Sequence, residues 1–386
     1  MQHLLDDYTS VREGVRALCG TFSPEYWREV DERRGYPEEF VKALTEAGWL
    51  AALIPEQYGG SGLSVAEASV IMEEINRCGG NSACCHGQMY NMGTLLRHGS
   101  EAQKRKYLPK IATGEWRLQS MAVTEPTTGT DTTKIKTAAV KRGDRYVING
   151  QKVWISRVQH SDFMVLLART TPLDQVKKKS EGMSIFLVDI KKSLDAGMTV
   201  RPIRNMVNHE TNEVFFDGLE IPHENLIGEE GMGFKYLLDG LNVERVLIAA
   251  ECIGDAYWFI EKASTYAKSR VVFDRPIGQN QGIQFPIARS YANTEAANLM
   301  RFKAAALFDA RKPCGAEANM AKLLAAEASW EAANMCMQTH GGFGFAAEYD
   351  IERKFRETRL HSVAPVSPNM ILSYIGTRVL GLPRSF

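Results

Sequence analysis

"RYVINGQKVWI", Arg145 to Ile155, is the stretch that decides the fold. It is β-branched, partly alternating, and broken by the turn pair Asn149-Gly150, so it reads as a hairpin turn leading into a strand that carries Trp154 and, just beyond, Ser156. Runs of the same texture follow it: "FMVLLART" from Phe163, "MSIFLVDI" from Met183 and "NEVFFDGLEI" from Asn212. A β domain therefore begins near Arg117. Before it, "FVKALTEAGWLAAL" and "EASVIMEEINRC" place apolar residues at three- and four-residue spacing, with the Gly-rich break Pro55 to Gly62 between them. After it, from "GMGFKYLLDGLNVERVLIAAEC" onward, long amphipathic helices run to the end. The expected order is helical, β, helical, with boundaries at residues 1–116, 117–230 and 231–386.

The chain of 386 residues is longer than one hydrophobic core usually serves. Lys+Arg and Asp+Glu are equal at 46 each, which gives no electrostatic case for nucleic acid or an anionic membrane. The seven cysteines form no C-x-x-C pair and are odd in number, so a disulfide framework is not expected and a reducing compartment is. The N-terminus lacks the basic and apolar regions of a secretory signal, and no apolar run approaches the ~18 residues of a membrane span. The expectation is a cytoplasmic, bacterial-type protein, or a processed protein of the mitochondrial matrix.

The eight histidines show no H-x-x-H or H-E-x-x-H spacing, so no metal site is expected. "GEEGMGF" and "HGGFGF" lack the spacing and flanks of a dinucleotide-binding strand–turn–helix. "AVTEPTTGTD" (Ala122 to Asp131) supplies hydroxyls suited to the edge of a heteroaromatic ring, or is only a turn. Trp154 and Ser156 offer an indole and a hydroxyl on one strand face, as a flavin requires, although a strand Trp is more often core. Arg270 and Gln281 in "RVVFDRPIGQNQ" would suit a pyrophosphate or adenine, or are solvated residues at a helix end.

Together these stretches resemble the acyl-CoA dehydrogenase family along nearly the whole chain. "MAVTEPTTGTD" is similar to its first signature and "QTHGGFGFAAEYDIERKFRE" (Gln338 to Glu357) to its second. "QKRKYLPKIATGEW", "YVINGQKVWIS", "NLIGEEGMGF" and "RVVFDRPIGQNQ" resemble intervening motifs in the family's order. The resemblance implies an N-terminal helical domain, a middle β domain and a C-terminal four-helix bundle, assembled as a dimer of dimers. It implies FAD, with Thr124, Trp154 and Ser156 at the isoalloxazine and Ser156 near N5. Arg270, Phe273, Gln281, Gln338, Gly341 and Gly342 would hold the adenine and pyrophosphate end, and Ser367 and Asn369 would reach the same flavin. Arg245 and Thr130 fall in the substrate-binding region. The substrate would be an acyl-CoA, and electrons would pass to an electron-transferring flavoprotein. Thr127, Thr128 and Asp274 depart from the small residues or glycine usual at their positions.

The family reaction needs a carboxylate at the thioester α-proton and donors to its carbonyl oxygen. Where many members carry that carboxylate, in the stretch "SVAPVSPNM" (Ser362 to Met370), this chain has Pro365. The isovaleryl- and long-chain-type members place the Glu on the first long C-terminal helix, immediately before an Arg, and Glu244 in "GLNVERVLIAAE" matches that position. Glu244 is the expected base, with Glu251 a weaker substitute. Pro365 also lacks the backbone N–H that would hold the thioester oxygen. A shifted loop in which Val366 or Ala364 donates is the expectation. Another donor, or a different flavin reaction such as acyl-CoA desulfination or monooxygenation, are the alternatives. The acyl group is not legible, beyond helix residues around Gln88 to Leu96 that would set pocket depth.

Overall fold

The computed structural model describes residues 8–384. By its internal contacts the chain divides into a helical unit (residues 1–33, 64–82 and 242–386) and a sheet unit (34–63 and 83–241). The N-terminal helices are thus shared out between the two.

In chain order the described helices are α1 (Thr9–Cys19), α2 (Pro24–Glu32), α3 (Glu38–Glu46), α4 (Val65–Arg77), α5 (Ala83–His98), α6 (Glu101–Ala112) and the short α7 (Ile190–Leu194). The long helices α8 (Gly233–Ser269), α9 (Gln281–Asp309) and α10 (Gly315–His340) follow, with α11 (Ile351–His361) and α12 (Pro368–Tyr374) closing the series. The strands are β1 (Ser120–Ala122), β2 (Ala138–Arg142), β3 (Arg145–Ser156), β4 (Phe163–Arg169), β5 (Met183–Asp189), β6 (Met198–Pro202), β7 (Thr211–Pro222) and β8 (Leu226–Ile227), with a separate ribbon of β9 (Val271–Val272) and β10 (Arg275–Pro276). Helical N- and C-terminal parts therefore flank a central β part, the fold class that the sequence implies.

In the sheet unit the strands run β6-β7-β3-β2-β4-β5-β8, and β1 pairs with β4 in parallel. β4 is buried along its whole length. Its Val165 and Leu167 join Met92, Leu95, Leu108 and Ile111 of α5 and α6 in one core, while Met164, Leu166 and Ala168 join Ile148, Phe186 and Val214 in a second. Burial on both faces explains why "FMVLLA" is apolar at every position rather than alternating. Met92 and Leu95, expected near an acyl pocket, are spent on the first core.

Asn149-Gly150 is not a hairpin turn. β3 runs through it, with a register shift against β7 between Ile148 and Gly150, and the true hairpin turn lies between β2 and β3 at Gly143 (φ 61). Asn149 and Gly150 serve a bulge instead. The Asn149 side chain accepts the Gly218 N–H at 2.9 Å, and a Cβ at Gly150 would meet the Thr137 hydroxyl oxygen at 2.5 Å. Turn and bulge both ask for backbone that L side chains avoid, so the same dipeptide signals either.

In the helical unit, α4 starts with a reciprocal capping box between Ser64 and Glu67. α8 is buried on every side from Val243 to Ala256, not amphipathic as the spacing suggests. Its Ala256, Phe259 and Ala263 pack on Ala332, Ala333 and Cys336 of α10, where small side chains let the helices of the C-terminal bundle approach closely. Two buried ion pairs lie on this unit, Arg301 to Glu73 at 2.7 Å and Lys354 to Asp255 at 2.6 Å, all four residues fully or almost fully buried. Removing one partner of such a pair typically costs about 3–5 kcal/mol.

Candidate active site

On the sheet unit, a second register shift of β3 against β7 falls between Lys152 and Ile155. It puts Trp154 at φ 62 and turns the indole outward, 59% exposed, while its neighbours Val153 and Ile155 are buried. A bulge that re-aims a side chain is a common device beside active sites. Ser156, half-buried, ends the strand. Its hydroxyl oxygen accepts from Asn208 Nδ2 at 2.8 Å, and Asn208 Oδ1 in turn accepts from Arg157 Nη1 at 3.4 Å. Thr124 is half-buried, and its carbonyl accepts the Val153 N–H at 3.0 Å, which ties the first signature to β3.

A buried ion pair underlies that junction. Lys152 Nζ donates to Glu125 Oε1 at 3.0 Å and to the Val123 carbonyl at 2.8 Å, and Glu125 also accepts the N–H groups of Lys136 and Thr137. Burial pushes the Lys152 ammonium down to about 8, against the pull of Glu125. Burial acts to raise the Glu125 carboxyl, but Lys152 and the N–H donors hold it below the ordinary carboxylate range. Thr130 stands exposed in the loop beyond.

On the helical unit, the β9–β10 ribbon carries Phe273 at φ 51, 93% exposed, with Asp274 at φ 61 beside it. Arg270 lies at the foot of this ribbon, its guanidinium 5.7 Å from the Phe343 ring centre. Gln338, Gly341 and Gly342 share the C-terminal end of α10 and are exposed; Gly341 has φ 58, and a Cβ at either glycine would meet nothing within 4 Å. The structure thus brings Arg270 and, through Phe343, the α10 end together. Gln281 opens α9, and Ser367 and Asn369 lie at the start of α12, on other elements. Outward aromatic rings and an open glycine cradle fit a planar, phosphate-linked cofactor such as FAD.

Glu244 and Arg245 are both buried on α8. Burial lowers the Arg245 guanidinium from its ordinary range, opposed first by Glu244. Arg245 Nη1 donates to Asn242 Oδ1 at 3.0 Å. Glu251 Oε2 lies 3.7 Å from His361 Nε2. The proline loop is fixed from α10: fully buried Lys322 donates to the Val366 carbonyl at 3.0 Å. Burial lowers the Lys322 ammonium too, opposed by Cys252 and Glu244. Of the two backbone donors considered for the thioester oxygen, Ala364 is occupied, because its N–H donates to the Leu360 carbonyl at 2.9 Å. The Val366 N–H, at φ 61, donates to no acceptor among the described residues.

Lys152, Arg157, Asn208 and Lys322 escaped the sequence reading. Only Lys322 leaves a trace there, as a lone charge in the apolar run "NMAKLLAA".

Three domain models of one family cover the chain: acyl-CoA dehydrogenase N-terminal domain over residues 6–115, middle domain over 120–219 and C-terminal domain over 231–379. Cyclohex-1-ene-1-carbonyl-CoA dehydrogenase of Syntrophus aciditrophicus is 34% identical over 99% of this chain and 92% of its own. The caffeyl-CoA reductase-Etf complex subunit CarC of Acetobacterium woodii is 33% identical over 90% and 93%. The solved glutaryl-coenzyme A dehydrogenase glutaryl-CoA complex superposes with a TM-score of 0.92 at 30% identity, covering 98% and 96%. The chain belongs to the acyl-CoA dehydrogenase family and is an FAD-dependent oxidoreductase of that family.

Proposed function

We propose that this protein dehydrogenates an acyl-CoA thioester across its α,β bond, with Glu244 as the base that takes the α-proton. The observation that carries the reading is the buried Glu244-Arg245 pair on α8, in a chain whose other family position for the base is Pro365. An α-proton is a weak acid, so the base must be held in place and kept ionised. The cations of Arg245 and Lys322 are both in electrostatic reach of Glu244. FAD, when bound, supplies the hydride acceptor. Thr124, Trp154 and Ser156 would hold its ring and Arg270, Phe273, Gln281, Gln338, Gly341 and Gly342 its other end, with Ser367 and Asn369 reaching the same group. Thr130 and Arg245 would border the substrate.

The Val366 N–H takes the part of the missing Pro365 donor. Its neighbour Ala364 is committed elsewhere, and a removed oxyanion donor typically costs 10² to 10³ in rate, so a replacement is needed. Electrons pass to an electron-transferring flavoprotein, a reading supported by the relative named for its Etf complex. Exposed Phe285, Tyr291 and Leu299 along α9 suit association with further copies as a dimer of dimers. The relatives reported above are bacterial, in keeping with a bacterial cytoplasm.

The test is an anaerobic titration with branched, straight, aromatic and dicarboxylic acyl-CoAs, followed by flavin absorbance. Bleaching by one class is expected and names the acyl group. FAD-loaded protein that no acyl-CoA bleaches would sink this reading in favour of the second one that Pro365 motivates, desulfination or oxygen chemistry on the same fold.

A further inference from the structure

Asn208 sits at φ 54 just before β7. Its side-chain amide meets three groups: Ser156 Oγ at 2.8 Å, Thr211 Oγ1 at 3.0 Å and Arg157 Nη1 at 3.4 Å. Oxygen and nitrogen of an amide differ only in polarity, so the neighbours must say which is which. A guanidinium can only donate, so the atom facing Arg157 is Oδ1. The Thr211 hydroxyl spends its proton on the Asn208 carbonyl at 2.6 Å, so its oxygen can only accept, and the atom facing it is Nδ2. Two independent neighbours therefore fix the same orientation.

The consequence falls on Ser156. Its oxygen receives the Asn208 Nδ2–H, and its side chain makes no other hydrogen bond among the described residues. The hydroxyl proton must project away from Asn208. Arg157, 5% exposed and itself at φ 58, has no carboxylate within ion-pair distance among the described residues. It is a buried cation whose one side-chain hydrogen bond among the described residues goes to the amide oxygen it orients.

We propose that Asn208 is a positioning residue: held by Arg157 and Thr211, it locks the Ser156 hydroxyl as an obligate donor toward flavin N5. This rests on the reading of Ser156 as the N5 contact. A donor fixed in this sense would meet the N5 lone pair of oxidised flavin when FAD is bound; once N5 carries hydrogen in the reduced flavin that donor has no lone pair to meet in the ring plane, so the lock favours the oxidised form.

Asn208→Asp separates this role from a structural one. The carboxylate is nearly isosteric but only accepts, so the Ser156 hydroxyl turns inward while Arg157 gains an ion pair. Asn208→Ala loses the hydrogen bonds but leaves Ser156 free to donate. With FAD-loaded proteins equilibrated against a redox dye, Asn208→Asp is expected to shift the balance toward reduced flavin roughly tenfold further than Asn208→Ala, the worth of about one hydrogen bond. Its thermal midpoint should be no lower than that of Asn208→Ala. Ser156→Ala should shift the dye balance as Asn208→Asp does. An Asn208→Asp protein with the wild-type balance, or one displaced only in step with its melting, overturns the role of Asn208. A Ser156→Ala protein with the wild-type balance overturns the Ser156 reading itself, and this proposal with it.

Discussion

Lys322 and Val366, 44 residues apart, are joined by a single hydrogen bond of 3.0 Å from a fully buried ammonium to a backbone carbonyl. Lys322 makes no other hydrogen bond or ion pair among the described residues. A cation placed in the interior at such cost is spent on holding the loop that carries Pro365 and Pro368.

Lys322→Met removes the tether and, with it, a desolvated charge, so the fold should lose little stability. The loop should lose its orientation. FAD content and thermal midpoint are expected to stay near wild type while kcat falls on the order of tenfold or more; an unchanged kcat would show that the loop holds its place without Lys322.

Glu244→Gln keeps the shape of the side chain and deletes its basicity. FAD should be retained, and kcat should drop on the order of 10² to 10⁴, the usual worth of a general base. Turnover close to wild type would refute Glu244 as the base and return attention to Glu251.

Lys152 gives a pH signature. Unfolded, its ammonium holds a proton to about 10.4, whereas folded it releases it at about 8. Between those values the unfolded chain binds more protons, so this residue makes stability rise with pH across that window. The thermal midpoint of wild type minus that of Lys152→Met should therefore climb from pH 8 to pH 10. A flat or falling difference would mean that Glu125 keeps Lys152 charged throughout.

Gly254 lies where α8 crosses α4. A Cβ there would stand 2.2 Å from the Glu73 carbonyl oxygen and 2.9 Å from the Asn76 Cβ, and backbone cannot step aside cheaply. Gly254→Ala should destabilise by on the order of 1–3 kcal/mol or more, read as a lower thermal midpoint. A wild-type midpoint would show that the two helices can slide apart.

Much of this protein is written in local pattern. The helical, β, helical order follows from hydrophobic periodicity. Motifs such as "QTHGGFGFAAEYDIERKFRE" marked the family, because backbone that must pass close to a ligand constrains short stretches of chain, and Glu244 stood out through the Arg beside it. What local pattern cannot carry is the partner of a group far along the chain. "NG" served a bulge rather than a turn because Thr137 and Gly218 close on it from neighbouring strands. Ala364 lost its claim as a donor to the Leu360 carbonyl, and Lys322 chose Val366. The sense of the Ser156 hydroxyl depends on Asn208, 52 residues on, and on Arg157 and Thr211 behind it. Hydrogen-bond polarity is settled by every donor and acceptor that meets at a point, and only the folded chain brings those groups to one place.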